Sequence, residues 1–382
     1  MTKKILVIPP TQESTVRKRL CEIAYLISNR YEVYILYWSK PGGKNIFYRV
    51  SATLRDIFRR GKVYKKNNHF FAQFPFFHRP FFMVKRYNQR FLEDFLINHK
   101  IDVVINGVHY FFFTPKTERY RYAHIFDVND LPTEETKSAL GSFIYEFAKQ
   151  EAQKADAVVA CSKGLVDYVQ SQFHRQAYFI PNGAYIKEFS NIDAVKIQAL
   201  RRQYGLLGKF VITYIGHIGD WIDMDFLLAF FKAAKMQYKD LALMIVGSGP
   251  DIAHYKRVAQ DRDIIFTGGV LPDKIAEFFV ISDLGVLPSR KNLFQDLAFH
   301  IKLVEYTASR KMVISSDLEE VRRLGFPNIL ISELNIKKWL THLRLARSMT
   351  WDAHWDNLAD EYSWEKIAQR YTEVIEMVSK RI

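Results

Sequence analysis

Short runs of β-branched and aliphatic residues alternate with longer amphipathic stretches along the whole chain, the pattern of parallel sheets covered by helices. In the first half this predicts strands over 4–8, 32–37, 102–106, 124–128, 156–160 and 177–180. Helical periodicity predicts helices over 14–28, 83–98, 134–153 and 163–171. Ser14 suits an N-cap, and Glu134 with Glu135 places negative charge at the positive end of a helix dipole. The turn signal Pro181-Asn182-Gly183 then interrupts the pattern, which restarts at Phe210. From there strands are predicted over 210–215, 242–246, 264–267, 284–287 and 312–315, with helices over 225–236, 252–260, 274–280 and 298–308. The expected fold class is α/β, with two Rossmann-like domains, 1–187 and 188–363.

Composition supports two packed domains. The chain has 382 residues, 48% of them hydrophobic, and only 12 prolines, so large-scale disorder is excluded. Cys21 and Cys161 lie far apart in apolar-periodic segments and read as buried thiols of a reducing compartment. The run Ile5 to Ile8 is too short for a signal sequence or membrane span, and no later stretch is long enough. The expected location is therefore cytoplasmic, with any membrane contact peripheral, on the inner face of the cell membrane. The net charge of +14 is unevenly placed: between Lys40 and Arg90 thirteen basic residues face the single acid Asp56.

In open α/β sheets ligands bind at the carboxyl ends of strands, so the loops there are the first place to look for chemistry. Two of them are glycine-rich, Gly216-His217-Ile218-Gly219 and Gly247-Ser248-Gly249-Pro250. Glycine lets backbone approach a phosphate, and helix N-termini favour its charge; the plainer alternative is two tight βα turns. Further on come Phe266-Thr267-Gly268-Gly269-Val270, Ser282-Asp283-Leu284-Gly285-Val286-Leu287-Pro288-Ser289 and Lys302-Leu303-Val304-Glu305-Tyr306. In this order the motifs resemble the C-terminal domains of GT-B glycosyltransferases, particularly glycosyltransferase family 4 and its divergent KLxEY branch in polysaccharide and glycolipid assembly. Ala155-Asp156-Ala157-Val158-Val159-Ala160-Cys161-Ser162, Ile180-Pro181-Asn182-Gly183 and Tyr362-Ser363-Trp364-Glu365 extend the resemblance over most of the chain.

The resemblance implies a GT-B architecture with an interdomain cleft, and a C-terminal helix, 364–382, packing back on the N-terminal domain. It implies a UDP- or GDP-sugar as co-substrate, with no other cofactor, and a glycan or polyprenyl-diphosphate-linked acceptor. Donor contacts are expected from Gly216, His217, Gly219, Gly247, Gly249, Val270, Pro288, Lys302 and Glu305, with Glu305 at the position that holds ribose hydroxyls. Lys302, three residues earlier, falls on the same helical face; the alternative for the two is an ordinary i,i+3 ion pair. The sequence departs from the family at Leu297, where a second glutamate is usual, and after the first glycine loop, where His217 and Asp220-Trp221-Ile222-Asp223 replace a basic pair.

Asp223-Met224-Asp225 could pass for a metal-binding DxD, but it opens a helix, where aspartate caps free N–H groups, and no ligand-spaced His/Cys/Glu cluster appears. No metal is expected, and the diphosphate charge then falls to Lys302, backbone N–H groups and helix dipoles. Candidates for activating the acceptor are Asp127, Asp130 and His109, each at or just past the carboxyl end of a predicted strand, although His109 could be a satisfied histidine. Asp130 could instead cap the next helix.

Phenylalanines from Phe70 to Phe82 interleave with the basic segment, which suits an anionic membrane surface, although many of these rings could equally fill the core. A nucleic-acid surface is the competing reading of that segment, and it leaves the glycine and KLxEY motifs unexplained; no nucleic acid is expected. A non-catalytic subunit or a sugar-nucleotide epimerase of the same fold is the other alternative.

Overall fold

The computed structural model of the chain describes residues 2–10, 19–38, 63–66, 68–74, 81–107, 114–115, 120–131, 139–190 and 192–380. They form two compact units, Met1–Pro181 with Trp364–Ile382, and Asn182–Ser363.

The first unit holds an eight-stranded sheet of β1 (Lys4–Ile8), β2 (Glu32–Trp38), β3 (Val63–Lys66), β4 (His69–Phe74), β5 (Val103–Gly107), β6 (Ala123–Val128), β7 (Ala157–Ala160) and β8 (Ala177–Phe179). Their spatial order is β3-β4-β2-β1-β5-β6-β7-β8. All neighbours pair in parallel except β3 and β4, an antiparallel pair at the edge. Central strand β1 carries the unbroken apolar run Ile5 to Ile8 because both its faces are covered, and all four residues are fully buried. Helices α1 (Arg19–Ile27), α2 (Phe81–His99), α3 (Ala139–Lys154) and α4 (Lys163–Phe173) follow in the chain, and the final helix, Trp364–Ser379, packs on α1.

Strand β4 corrects part of the expected membrane segment. Phe71 and Phe91 lie in the core, and half-buried Phe70 stacks on Tyr34 at 5.0 Å. Most of the basic stretch, 39–62, 67 and 75–80, lies outside the described residues. Cys21 and Cys161 are buried and unbridged, as the sequence suggests. Among the described residues no helix is long and apolar enough to cross a membrane.

The second unit opens with α5 (Ile186–Ser190) and α6 (Ala194–Gln203) and then winds a wholly parallel sheet. In chain order its elements are β9 (Phe210–Ile215), α7 (Met224–Gln237), β10 (Leu241–Val246), α8 (Ile252–Val258), β11 (Ile264–Gly268), α9 (Ile275–Ile281) and β12 (Leu284–Leu287). After these come α10 (Leu293–Leu297), α11 (Ile301–Ala308), β13 (Met312–Ser315), α12 (Glu319–Leu324), β14 (Ile329–Ile331) and α13 (Ile336–Ser348), which makes the final helix α14. The spatial order β11-β10-β9-β12-β13-β14 reverses between β9 and β12. That reversal opens a crevice beyond the carboxyl ends of these two strands.

Three features fix the elements around the crevice. Asp223 caps α7, its Oδ1 accepting from Phe226 N at 3.0 Å. The Tyr306 ring of α11 fills the space left by Gly285 of β12, where a Cβ would come within 2.7 Å of it. The Tyr306 hydroxyl donates to the Thr213 carbonyl of β9 at 2.6 Å, so α11 is pinned across both strands of the switch point. Trp339 of α13 is fully buried against the edges of Phe226 and Phe230, a contact set whose loss typically costs about 3–5 kcal/mol. The helix expected over 298–308 is broken: Ala298 is extended (φ −74°, ψ 137°), and α11 starts at Ile301.

Candidate functional site

The loop after β9 is tied to the loop after β12. Asp223 N donates to the Pro288 carbonyl and Arg290 N to the Trp221 carbonyl, both at 2.8 Å, while Arg290 Nε stands 3.4 Å from Asp223 Oδ2. Asp223 is thereby occupied by a cap and an ion pair rather than offered to a metal. Among the described residues no group of three or more His, Cys, Asp or Glu is placed to hold one.

The β9 loop also docks on the β10 loop. Ile218 N donates to the Ser248 carbonyl at 2.9 Å. A Cβ at Gly247 would lie 1.8 Å from the Gly216 carbonyl oxygen, and one at Gly249 would lie 1.9 Å from that of Ile218. These two glycines are required by backbone packed on backbone inside the protein. That requirement stands whether or not a phosphate is present, and it fits the plainer alternative of two tight βα turns. Gly219 makes room for the Trp221 ring, which also stacks on exposed His217 at 5.5 Å. Val270 packs at the edge of the core, and Pro288 is buried with its carbonyl engaged.

Lys302 lies in the first turn of α11, and its side chain crosses the β9 loop directly over Gly216. Lys302 is half-buried, and desolvation pushes its ammonium below the usual lysine pKa, partly offset by the carboxylate of Glu305 one turn on. Among the described residues the ammonium makes no hydrogen bond or ion pair. Its position also opposes the helix dipole, whose positive end disfavours a cation. The residue before the helix, His300, gives α11 no side-chain cap. Its Nε2 lies 3.0 Å from the Gln295 carbonyl and so carries the proton. Burial and Lys302 together lower its pKa to about 4, which keeps it neutral at physiological pH. An uncapped helix start holding an unanswered cation is unfavourable for folding alone and favourable for binding an anion. Glu305 is half-buried on the same helix.

In the first unit the candidate carboxylates separate. Asp127 is 1% exposed and accepts from Arg19 Nε at 3.0 Å and Nη2 at 3.1 Å, and from the Tyr371 hydroxyl of α14. Arg19 spends its other donors on the carbonyls of Pro181 and Ile180, at 2.7 and 2.6 Å. Asp127, expected as a proton acceptor, is instead a closed structural ion pair that fastens α1, β6 and α14 together. The sequence carries a faint signal of this, since Arg19, Ile23 and Ile27 share one face of α1 and that face is buried.

Asp130, just past β6, keeps an exposed side chain, yet desolvation holds its pKa above the usual carboxylate range, against a 2.8 Å hydrogen bond from Asn129 and the charge of Arg19. His109 lies outside the described residues. A second buried polar group, missed from sequence, joins Asn106, Thr114, His124 and Glu151. Thr114 N donates to Glu151 Oε2 at 3.1 Å, and Thr114 Oγ1 lies 3.2 Å from His124 Nε2.

Residues 209–344 match the family of glycosyl transferases group 1. TuaH of Bacillus subtilis, assigned as a glycosyltransferase of teichuronic acid biosynthesis, is 24% identical over 220 residues, covering 54% of this chain and 53% of its own. The lipopolysaccharide 1,2-N-acetylglucosaminetransferase of Salmonella typhimurium is 26% identical over 194 residues, 43% of this chain and 47% of its own. The chain thus spans about half the length of the curated relatives it matches. Among solved structures, a glycosyltransferase from Rickettsia africae superposes over 100% of both chains with a TM-score of 0.72 at 14% identity. Anabaena Alr3699/HepE in complex with UDP does so over 98% of this chain and 100% of its own, with a TM-score of 0.69 at 14% identity. The chain therefore carries a glycosyl transferases group 1 domain in its second unit and has, over its length, the two-sheet fold of GT-B glycosyltransferases.

Proposed function

We propose that this protein transfers a glycosyl group from a nucleotide-diphosphate sugar to a glycan or lipid-linked acceptor in the assembly of a cell-surface polysaccharide. The observation that carries the proposal is Lys302: a desolvated ammonium with no anionic partner in contact, set at the start of α11 and beside the switch-point loop. A diphosphate supplies the missing charge. The ammonium and the free N–H groups of α11 then offset the charge that grows on the diphosphate as the glycosyl bond breaks. Glu305 would hold the ribose hydroxyls, as the resemblance implies, and Asp130 is the proton acceptor for the incoming hydroxyl. The raised pKa of Asp130 strengthens it as a base while leaving its side chain open to solvent. Support for the donor class comes from HepE, solved with UDP-glucose, and support for the acceptor class from the teichuronic acid and lipopolysaccharide roles of the two relatives. The donor is a UDP- or GDP-sugar, transfer proceeds without a metal cofactor, and the protein works at the inner face of the cell membrane.

The test is a panel of UDP- and GDP-sugars scored for release of the nucleoside diphosphate and for incorporation of label into an extracted glycolipid fraction. At least one donor should be consumed with label incorporated, and Glu305→Ala should weaken its binding while leaving unfolding unchanged. A wild-type protein that binds and consumes none of the panel overturns the proposal.

A further inference from the structure

The glycines of the second unit answer to different needs. At Gly205, Gly208, Gly268 and Gly325 an added Cβ meets nothing within 4 Å, and a positive φ is the reason for glycine. At Gly247 and Gly249 the obstacle is backbone. Gly219 and Gly285 clear space for the rings of Trp221 and Tyr306. Gly216 stands apart, because its empty Cβ position is filled by the charged end of a side chain: Lys302 Cε would be 2.2 Å away and Nζ 2.9 Å, with Tyr214 Oη third at 3.2 Å.

We propose that Gly216 is a positioning residue for Lys302: its missing side chain is the passage through which the lysine crosses the β9 loop to reach its binding position. The inference rests on the donor site proposed above and adds the reason for glycine at this point of it.

Which group yields to a larger residue at 216 follows from the neighbours. Tyr214 is held, its hydroxyl donating to the His217 carbonyl at 2.7 Å. The loop backbone is held as well, with Gly216 N donating to the Val246 carbonyl at 2.8 Å and Gly247 filling the space behind the Gly216 carbonyl. The lysine tip is held by no hydrogen bond among the described residues, and it gains water by leaving. A methyl group at 216 therefore displaces the ammonium first, and the damage appears in anion binding. Gly216 also has φ +154°, so a side chain there brings backbone strain of its own. The experiment has to separate the two effects.

A double-mutant cycle of Gly216→Ala and Lys302→Ala does so, because neighbours that share an interaction are non-additive. Two readouts are taken on the full-length protein. The first needs no nucleotide: the pH dependence of Lys302 acylation, read by mass spectrometry, should show a lowered pKa in the wild type and an ordinary lysine value in Gly216→Ala. The second is UDP and GDP affinity, which each single variant should weaken roughly tenfold to a hundredfold and the double variant no further. Gly269→Ala, whose Cβ would meet Ser248 Oγ only at 3.7 Å, should leave both readouts unchanged. Unaltered Lys302 reactivity in Gly216→Ala, or multiplying losses of affinity in the double variant, would overturn the proposal. So would an unfolding cost of Gly216→Ala that is the same with lysine or alanine at 302, since backbone strain alone would then account for it. If the wild type binds neither nucleotide, the donor-site reading fails by itself, and the acylation readout still decides whether Gly216 positions Lys302.

Discussion

Each unit of this protein holds a cation near the carboxyl end of its sheet, Arg19 buried and Lys302 half-buried, and the two cations are treated in opposite ways. In the first unit Arg19 gives hydrogen bonds to Asp127 and to two carbonyls, and Asp127 takes a further one from Tyr371. In the second unit Lys302 is desolvated with Glu305 acting only through space, and its helix begins without a side-chain cap. A buried charge answered inside the chain is scaffold. One left unanswered costs folding energy and marks where a ligand of opposite sign belongs.

The largest expected effect tests the scaffold side of that contrast. Asp127→Ala strands the Arg19 guanidinium, so chemical denaturation should show a loss of about 3–5 kcal/mol, the usual cost of breaking a buried pair from one side. A loss under about 1 kcal/mol would mean that the pair is not what holds α14. Next in size is Asp130→Asn, which should lower turnover by roughly 10²–10⁴-fold with donor affinity nearly intact. Unchanged turnover would pass the role of base to another group.

A smaller effect comes from His300. Its folded pKa of about 4 lies below the unfolded value near 6.5, so in that window the unfolded chain binds the extra proton. Stability from this group should therefore fall as pH drops from about 6.5 to 4 and level off below, by on the order of 2–3 kcal/mol as an upper figure. Denaturation of wild type and His300→Asn across that range measures it; parallel curves would show that His300 titrates normally. The smallest effect belongs to Lys302 itself. Its ammonium is lowered in the free protein and raised again by a bound anion, so UDP affinity should weaken as pH rises through the free-state value, below the ordinary lysine range. Affinity independent of pH up to about 10 would detach the lysine from the phosphates.

How legible these features were depended on whether their causes were local. Strands such as β1, β9, β10 and β12 are mostly apolar runs and could be read directly, as could the Asp223 cap, whose partner is three residues away. Strand β4 was missed because His69-Phe70-Phe71 sits among cations and reads as a surface, and the short β14 falls below the length at which a pattern forms. The broken helix at 298–300 kept the apolar spacing of a continuous one. At the candidate site, Lys302 and Glu305 are singled out by motif. The reasons for Gly216, Gly247 and Gly249 are not, because each glycine's obstacle comes from a segment that only folding brings near. Asp127 looked catalytic by position alone; its partners Arg19 and Tyr371 lie 108 and 244 residues away.

The central claim is that the unanswered ammonium of the second unit is the donor's diphosphate site. Lys311 offers a matched control: it too is half-buried with a lowered pKa, but it lies at the amino end of β13 beside Asp283 and Arg201. Calorimetric titration of UDP and GDP into wild type, Lys302→Ala and Lys311→Ala, each checked for native unfolding, puts the claim to the test. The expected result is that one nucleotide binds the wild type and Lys311→Ala alike, and binds Lys302→Ala roughly tenfold to a hundredfold more weakly. Equal affinity for all three proteins would contradict it.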